Sequence, residues 1–285
     1  MPMVRAMRLL NAIEAGTTTG AQLETLLTDA TNGAGRLAEL NVLLGMRGQT
    51  RRVAASSTAM NAVAASSTAM NAVIASSTAM NAVIASSTAI NAVAASSTAM
   101  NAVAASSTAM NAVIGSQVAL DAVFANATAK ATFKGSTALN VASIPTMTGD
   151  ATPSGAASAS TTAGAGYEAW RGFDKSAASW WTSEWSSVTN QWLRYDFPAP
   201  VFIHSLAIDN TQEATNRSAK DCRLEYSDDG TTWSAAVTMT LANNTPSNSY
   251  DVSKTGKHRY WRLFALNNYG DVYLSIADMS LTGFN

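Results

Sequence analysis

Between Arg52 and Asp121 the chain carries no Asp, Glu, Lys or Arg. That gap holds the charged fraction of its 285 residues to 13%, against about 25% in ordinary soluble chains. The net charge of −1 offers no field to nucleic acid or to an anionic membrane. The small cluster Arg47, Arg51 and Arg52 reads as a solvated flank. Cys222 is the sole cysteine, which excludes an intrachain disulfide. With only His204 and His258 beside it, no zinc quartet can be built. In the alternating run Cys222-Arg223-Leu224-Glu225-Tyr226 the thiol reads as a small buried apolar group. Met1-Pro2-Met3-Val4-Arg5 starts an amphipathic pattern rather than a secretory signal. Ser, Thr and Asn interrupt the alanines too often for a bilayer span. Phosphate and dinucleotide motifs are missing, neither histidine has a nucleophile partner, and Asp228-Asp229 belongs to a turn. The expectation is a protein that is not an enzyme.

What fills the uncharged stretch is a repeat. Residues 54–123 hold a ten-residue unit seven times, close to AASSTAMNAV. Alanine favours helix, and the array has no proline and only one glycine, Gly115, in its last copy, so a β-solenoid that turns in every copy is disfavoured. Met60, Val63, Met70 and Val73 mark an apolar stripe with three turns per ten residues. An ideal helix misses that period by about 80° per copy, far more than the roughly 20° a heptad drifts. Low-complexity disorder is the competing reading, and the strict placement of Met and Val argues against it; of the two helical readings, the trimer is favoured. One is a helical shaft of three identical chains burying the stripe between them, roughly 105 Å long if continuous. The other is a set of short helices broken and capped at Ser66-Ser67-type pairs.

The flanks differ. In residues 1–52, Met3, Met7, Leu10 and Ile13 recur at helical spacing, with Gly16 as a stop. Thr17-Thr18-Thr19 supplies capping hydroxyls for a second helix. Leu37, Leu40, Leu43 and Leu44 form a third stripe ending near Gly45. So short a region makes a poor core of its own and is expected to pack on sister chains or a host structure. Residues 124–151 read as a transition and linker after the shaft of residues 53–123.

Residues 152–285 change character. Gln191–Phe197 alternates and Pro198-Ala199-Pro200 breaks it. Further strand signals lie in Val201–Ile208, Arg223–Ser227, His258–Leu266 and Val272–Leu281, with a turn at Asp228-Asp229-Gly230. An antiparallel β-sandwich is expected. The ordered segments Phe173-Asp174, Trp180-Trp181-Thr182-Ser183, Trp192–Phe197, Arg223–Trp233, Arg259–Leu263 and Ile276–Gly283 resemble discoidin or coagulation-factor type C domains and family 32 carbohydrate-binding modules. That resemblance implies a jelly roll with ligand loops at one end. It also implies a structural calcium ion, here on Asp174, Ser179 and Asp278, with Lys175 standing where the family has glycine. Aromatic rings cover sugar faces while polar groups hold the hydroxyl rim. The candidate binding residues are therefore Trp180, Trp181 and Trp185, then Asn216, Arg217 and Lys220, then Asn267, Asn268, Tyr269 and Asp271. Tyr269 and its neighbours are the favoured loop. One of Trp180 and Trp181 is expected in the core, as are Trp192 and Trp261.

The N-terminal stretch and the decads are similar to those of bacteriophage tail-fibre proteins. Together the expectation is a homotrimeric virion fibre, made in the host cytoplasm. Residues 1–52 would dock on a tail, baseplate or collar protein, and the head would bind a cell-surface glycan. A collar fibre whose head binds protein and a bacterial surface adhesin are the competing readings.

Overall fold

The computed structural model describes residues 2–212, 215–246 and 248–285. It comprises two compact units, Met1–Leu139 and Asn140–Asn285.

The first unit is helical throughout. It runs α1 (Pro2–Glu14), α2 (Gly20–Thr28), α3 (Gly33–Leu44), α4 (Arg47–Ala55), α5 (Ser57–Ala64), α6 (Ser67–Ala75), α7 (Ser77–Ile84), α8 (Ser87–Ala95), α9 (Ser97–Ala104), α10 (Ser107–Ile114), α11 (Gln117–Ala125) and α12 (Ala127–Lys134). From α4 onward every decad is one helix of eight or nine residues. Successive helices are joined through a single extended residue, such as Ser96 at φ −106° and ψ 115°. That residue turns the chain through 96° between α7 and α8 and 101° between α10 and α11. The drift of a ten-residue period therefore never accumulates, because each helix stops before it matters.

Three such turns bring the chain back over itself. α4 packs on α7, α5 on α8, α6 on α9, α8 on α11 and α9 on α12. The result is a right-angled spiral with three helices to the turn. In each decad an Ala, a Met and a Val share one helix face, as with Ala99, Met100 and Val103, all essentially inaccessible. Ile90, Leu120 and Phe133 fill equivalent places in variant copies. The stripe that suggested three chains is thus buried inside one, and the continuous coiled coil is replaced by a stack of short helices. With helices about 9 Å apart, seven copies rise roughly 20 Å instead of the 105 Å of a straight helix.

Helices this short are marginal in water on their own, so their ends matter. The serine between helices takes the backbone N–H three residues on, as Ser96 Oγ does from Ala99 at 3.2 Å. The same hydroxyl donates to a carbonyl at the end of the helix one turn below. Ser76 reaches Leu44, Ser86 reaches Ala54, Ser96 reaches Ala64 and Ser116 reaches Ile84, at 2.6–3.1 Å, and Ser136, past the last helix, reaches Ala104 in the same way at 2.6 Å. One side chain closes the start of its own helix and the end of the helix beneath it.

The N-terminal helices form the first turn of this spiral, and their apolar stripes are buried against one another and the first decads of the same chain. α3 lies under α6, and α2 under α5 and α6. Gly20 is where α2 and α5 touch: a Cβ there would stand 2.3 Å from that of Ala65. Thr19 caps α2 in a reciprocal box with Gln22. Glu24 takes the place of a carbonyl end: its carboxylate accepts from the hydroxyls of Ser66, Ser67 and Thr68 and from the Thr68 amide. Burial raises its pKa, but these bonds outweigh it and hold the group at about 2. Among the described residues no single helix is long and apolar enough to cross a membrane.

The second unit is a β-sandwich of β1 (Val141–Ser143), β2 (Ala156–Ala159), β3 (Trp181–Thr182), β4 (Gln191–Asp209), β5 (Asp221–Ser227), β6 (Ser234–Thr240), β7 (Asn248–Asp251), β8 (His258–Ala265), β9 (Ser275–Ile276) and β10 (Asp278–Phe284). β4 serves both layers. Its first half pairs with β2 and β8, the latter continuing to β5 and β6, and its second half pairs with β7 and β10. The exposed Pro198–Pro200 stretch lies where the partners change, since proline cannot donate to a ladder. Trp181, Tyr195, Trp261, Leu193, Leu263 and Met279 fill the space between the layers. β1 pairs with β10, and α12 continues the decad spiral. Residues 124–151 are therefore not a linker: their first part closes the helical unit and their last part opens the sandwich, twelve residues before the expected start at residue 152.

Two stability predictions follow from the helix ends. Ser96→Ala removes a cap worth about 1 kcal/mol and strands the Ala64 carbonyl, for a total of about 2–3 kcal/mol. Ser96→Asp keeps the acceptor but cannot donate, so it should also fall below wild type in urea unfolding followed at 222 nm. For Glu24 the folded pKa is depressed, so its contribution is present above about pH 4.5 and lost as pH falls towards 2. The melting-temperature gap between wild type and Glu24→Gln should shrink across that window.

Candidate functional site

One end of the sandwich gathers three loops. The loop after β3 is tied to the loop before β9 by Ser183 N–H to Leu274 O and Ser186 N–H to Val272 O, both 2.8 Å. The loop before β5 joins the same group through bridges from Ser218 to Ser275 and from Ala219 to Asn268. Loops held by backbone bonds present their side chains in fixed places.

Within this group the indole of Trp185 is 65% exposed and Val272 47% exposed. Ser186, next to Trp185, sits at φ +64°, a conformation that costs energy for a residue with a Cβ and marks a constrained tip. Arg217 faces Asp271 with Nε 3.4 Å from Oδ1, and its guanidinium lies 4.7 Å from the ring centroid of Tyr273. Asp271 also receives the Tyr273 amide at 2.9 Å. Asn216 is exposed beside them and meets Asn243. An open aromatic residue on one of these tied loops and an oriented cation and carboxylate on the others are groups that suit a polyhydroxylated ring: apolar C–H groups on an indole, hydroxyls on the ions.

Other expected site residues have structural tasks. Trp181 is fully buried in the core and donates Nε1–H to Thr161 O, while Trp180 is half-buried. Tyr269, the favoured aromatic, gives its hydroxyl to Leu241 O at 2.6 Å and carries Lys220 Nζ 5.5 Å over its ring. Asn267 clasps Asp221 through both ends of its amide. Asn268 turns inward on the loop's own carbonyls at Asp271 and Tyr273. The aromatic that does stand beside Arg217 is Tyr273. It was missed because it falls in a run that reads as strand, and its only signal is a position two residues after Asp271.

Trp261 lies in the core as expected, but Trp192 does not. It is half-buried on the outer face of the sheet, with Arg194 and Arg262 5.6 and 6.0 Å from its ring. Glu225 anchors that face, accepting from Arg223 and Arg262 at 2.9 and 2.8 Å, and Arg262 stacks 4.0 Å from Trp233. Cys222 is buried, and desolvation pushes its thiol well above the ordinary range, which fits an inert packing role.

Each residue expected to hold calcium has protein partners of its own. Asp174 turns both oxygens onto its own loop, accepting from the Ser176 amide at 2.9 Å and the Ser179 hydroxyl at 2.6 Å. Asp278 accepts from the Lys175 amide and from Ser280, and Lys175 Nζ stands 3.5 Å from it. Calcium needs six to eight converging oxygens. Among the described residues no three acidic, histidine or cysteine side chains are grouped around a metal position.

With this geometry in place, comparison with known proteins is informative for the second unit alone. Residues 171–263 match the F5/F8 type C family described as the NedA-like, galactose-binding domain. No curated protein matches the chain. Among solved structures, the family 32 carbohydrate-binding module from C. perfringens NanJ in complex with galactose is 16% identical with a TM-score of 0.43, covering 50% of this chain and 99% of that one. Chitosan-binding module 1 of a Paenibacillus sp. IK-5 chitosanase/glucanase is 22% identical, with a TM-score of 0.39 and coverage of 45% and 93%. The F5/8 type C domain of a Bacteroides fragilis protein is 17% identical, with a TM-score of 0.39 and coverage of 46% and 92%. Within the C-terminal unit, residues 171–263 are thus similar to F5/8 type C, discoidin-like domains.

The division of labour among the loop residues is testable by stability alone. Tyr269→Phe strands the Leu241 carbonyl and should cost about 1 kcal/mol or more in urea unfolding read by tryptophan fluorescence. Trp185→Ala, at an exposed position, should stay within about 0.5 kcal/mol of wild type.

Proposed function

We propose that the C-terminal unit binds a carbohydrate on the loop cluster of Trp185, Arg217, Asp271 and Tyr273, and that it acts by binding and not by catalysis. The observation that carries this is the exposed Trp185 on a loop whose next residue, Ser186, bonds to Val272, the neighbour of Asp271 in the Arg217–Asp271 pair. The family match supports the same reading, and the NanJ module is a galactose complex. Galactose-terminated glycans are therefore the first ligands to try.

The wider proposal is a virion tail fibre acting at the host surface, with the N-terminal helices docking on a particle protein. Its support is the tail-fibre resemblance of the N-terminal stretch and decads. The exposed apolar residues Met3, Val4 and Val42 on α1 and α3 add a surface for that contact. The homotrimer is not carried into this proposal, because one chain buries the stripe that called for three.

Glycan-array binding followed by calorimetry on the full chain tests the first part. Trp185→Ala and Arg217→Ala should each weaken binding at least about tenfold, or 1.4 kcal/mol, with unfolding midpoints kept. Unchanged affinity in Trp185→Ala would remove the site. Immunogold labelling of purified particles tests the second part: label confined to tails supports it, and particles without label contradict it.

A further inference from the structure

The pairing of Lys175 with Asp278 says more than that calcium ligands fail to converge. Lys175 follows the 3-10 turn Ala169–Phe173 and Asp174, and its backbone lies at φ +60°. Lysine has no preference for that region, where glycine is at ease. The strained backbone delivers the side chain across the turn to the last strand. There Nζ lies 2.6 Å from Ser280 Oγ and 3.5 Å from Asp278 Oδ2, while the amide of the same residue meets Asp278 Oδ1 at 3.3 Å. Asp209 stands opposite Asp278 in the ladder, and one of its oxygens takes the Thr211 amide. The cleft lined by Lys175, Asp209 and Asp278 thus contains two carboxylates and one resident ammonium.

We propose that the Lys175 ammonium does the work of a structural metal ion in this domain, fastening the 169–175 turn to β10 and making the fold independent of calcium. A divalent cation entering beside Asp278 would meet a fixed positive charge at contact distance. The cation carried on the chain also cannot be removed by a chelator.

All seven tryptophans lie between Trp170 and Trp261, so tryptophan fluorescence of the full-length chain reports this unit alone. Its thermal midpoint should be the same, within about 1 °C, in 5 mM EGTA and in 1 mM CaCl2, since a site filled only in calcium would raise the midpoint by mass action. Lys175→Met removes the ammonium, keeps the stem and leaves Asp278 without its cation. It should lower the midpoint by about 3 °C or more, whereas Lys175→Arg should remain closer to wild type. A wild-type midpoint that falls in EGTA and returns with calcium would overturn the proposal even if Lys175→Met fails to fold. A Lys175→Met midpoint equal to wild type would overturn it too.

Discussion

The helical unit depends on one hydroxyl used twice. A helix of eight or nine residues leaves most of its terminal N–H and C=O groups without intrahelical partners, and a stack of such helices would bury a large number of them. Serine can accept and donate at once. Placed on the single extended residue between helices, it takes the N–H three residues on. It then gives its proton to the end of the helix one turn below, as in Ser96 with Ala99 and Ala64. An ionised aspartate could serve the first half of that task but has no proton to give for the second. The second half is what ties one turn to the next and sets the spacing of three decads between partners. The alanines follow from the same constraint, since close helix contacts need small side chains.

The sandwich solves a different problem. A long bent β4 joins two layers, and the loops at one end are free to carry binding groups on a rigid base. Arg217, Asp271 and Tyr273 hold one another in place, and Trp185 stands open on a loop tied to theirs. On the sheet's outer face, Glu225 and its arginines occupy the remaining aromatic surface at Trp192, Trp233 and Phe264. That face is covered by its own side chains, whereas Trp185 at the loop end is open.

Much of this was legible in the residues, and the failures have physical causes. The helix boundaries near Gly16, Thr19 and Gly45 and the β-sandwich reading rest on capping and alternation, which are local signals. The decad's short-helix reading was available from the 80° mismatch, but nothing local says that the stripe closes within one chain and not among three. That choice depends on the hydroxyl-to-carbonyl bond across three decads. Phe133 and Arg47–Ala55 lie in phase with the array although their sequences have diverged from it, so the repeat looked shorter than the spiral. In the sandwich, Tyr269 and Tyr273 are equally aromatic and lie in one loop. Only the positions of the Leu241 carbonyl and of Arg217 separate the surroundings of the two rings, and those partners are distant in sequence. The tryptophans were similarly ambiguous: Trp192 alternates like a core residue, yet its register with Arg262 puts it on the outer face.

The central claim is that the decads spiral within one chain, and a distance measures it. Asn61 and Asp121 are exposed and six decads apart, which is two turns of the spiral, and the native Cys222 is buried. Spin labels on Asn61→Cys and Asp121→Cys, diluted with unlabelled chain, should give a pulsed dipolar separation near ~20 Å, two helix-packing layers. A separation approaching ~90 Å, the length of sixty residues in one continuous helix, would contradict the account.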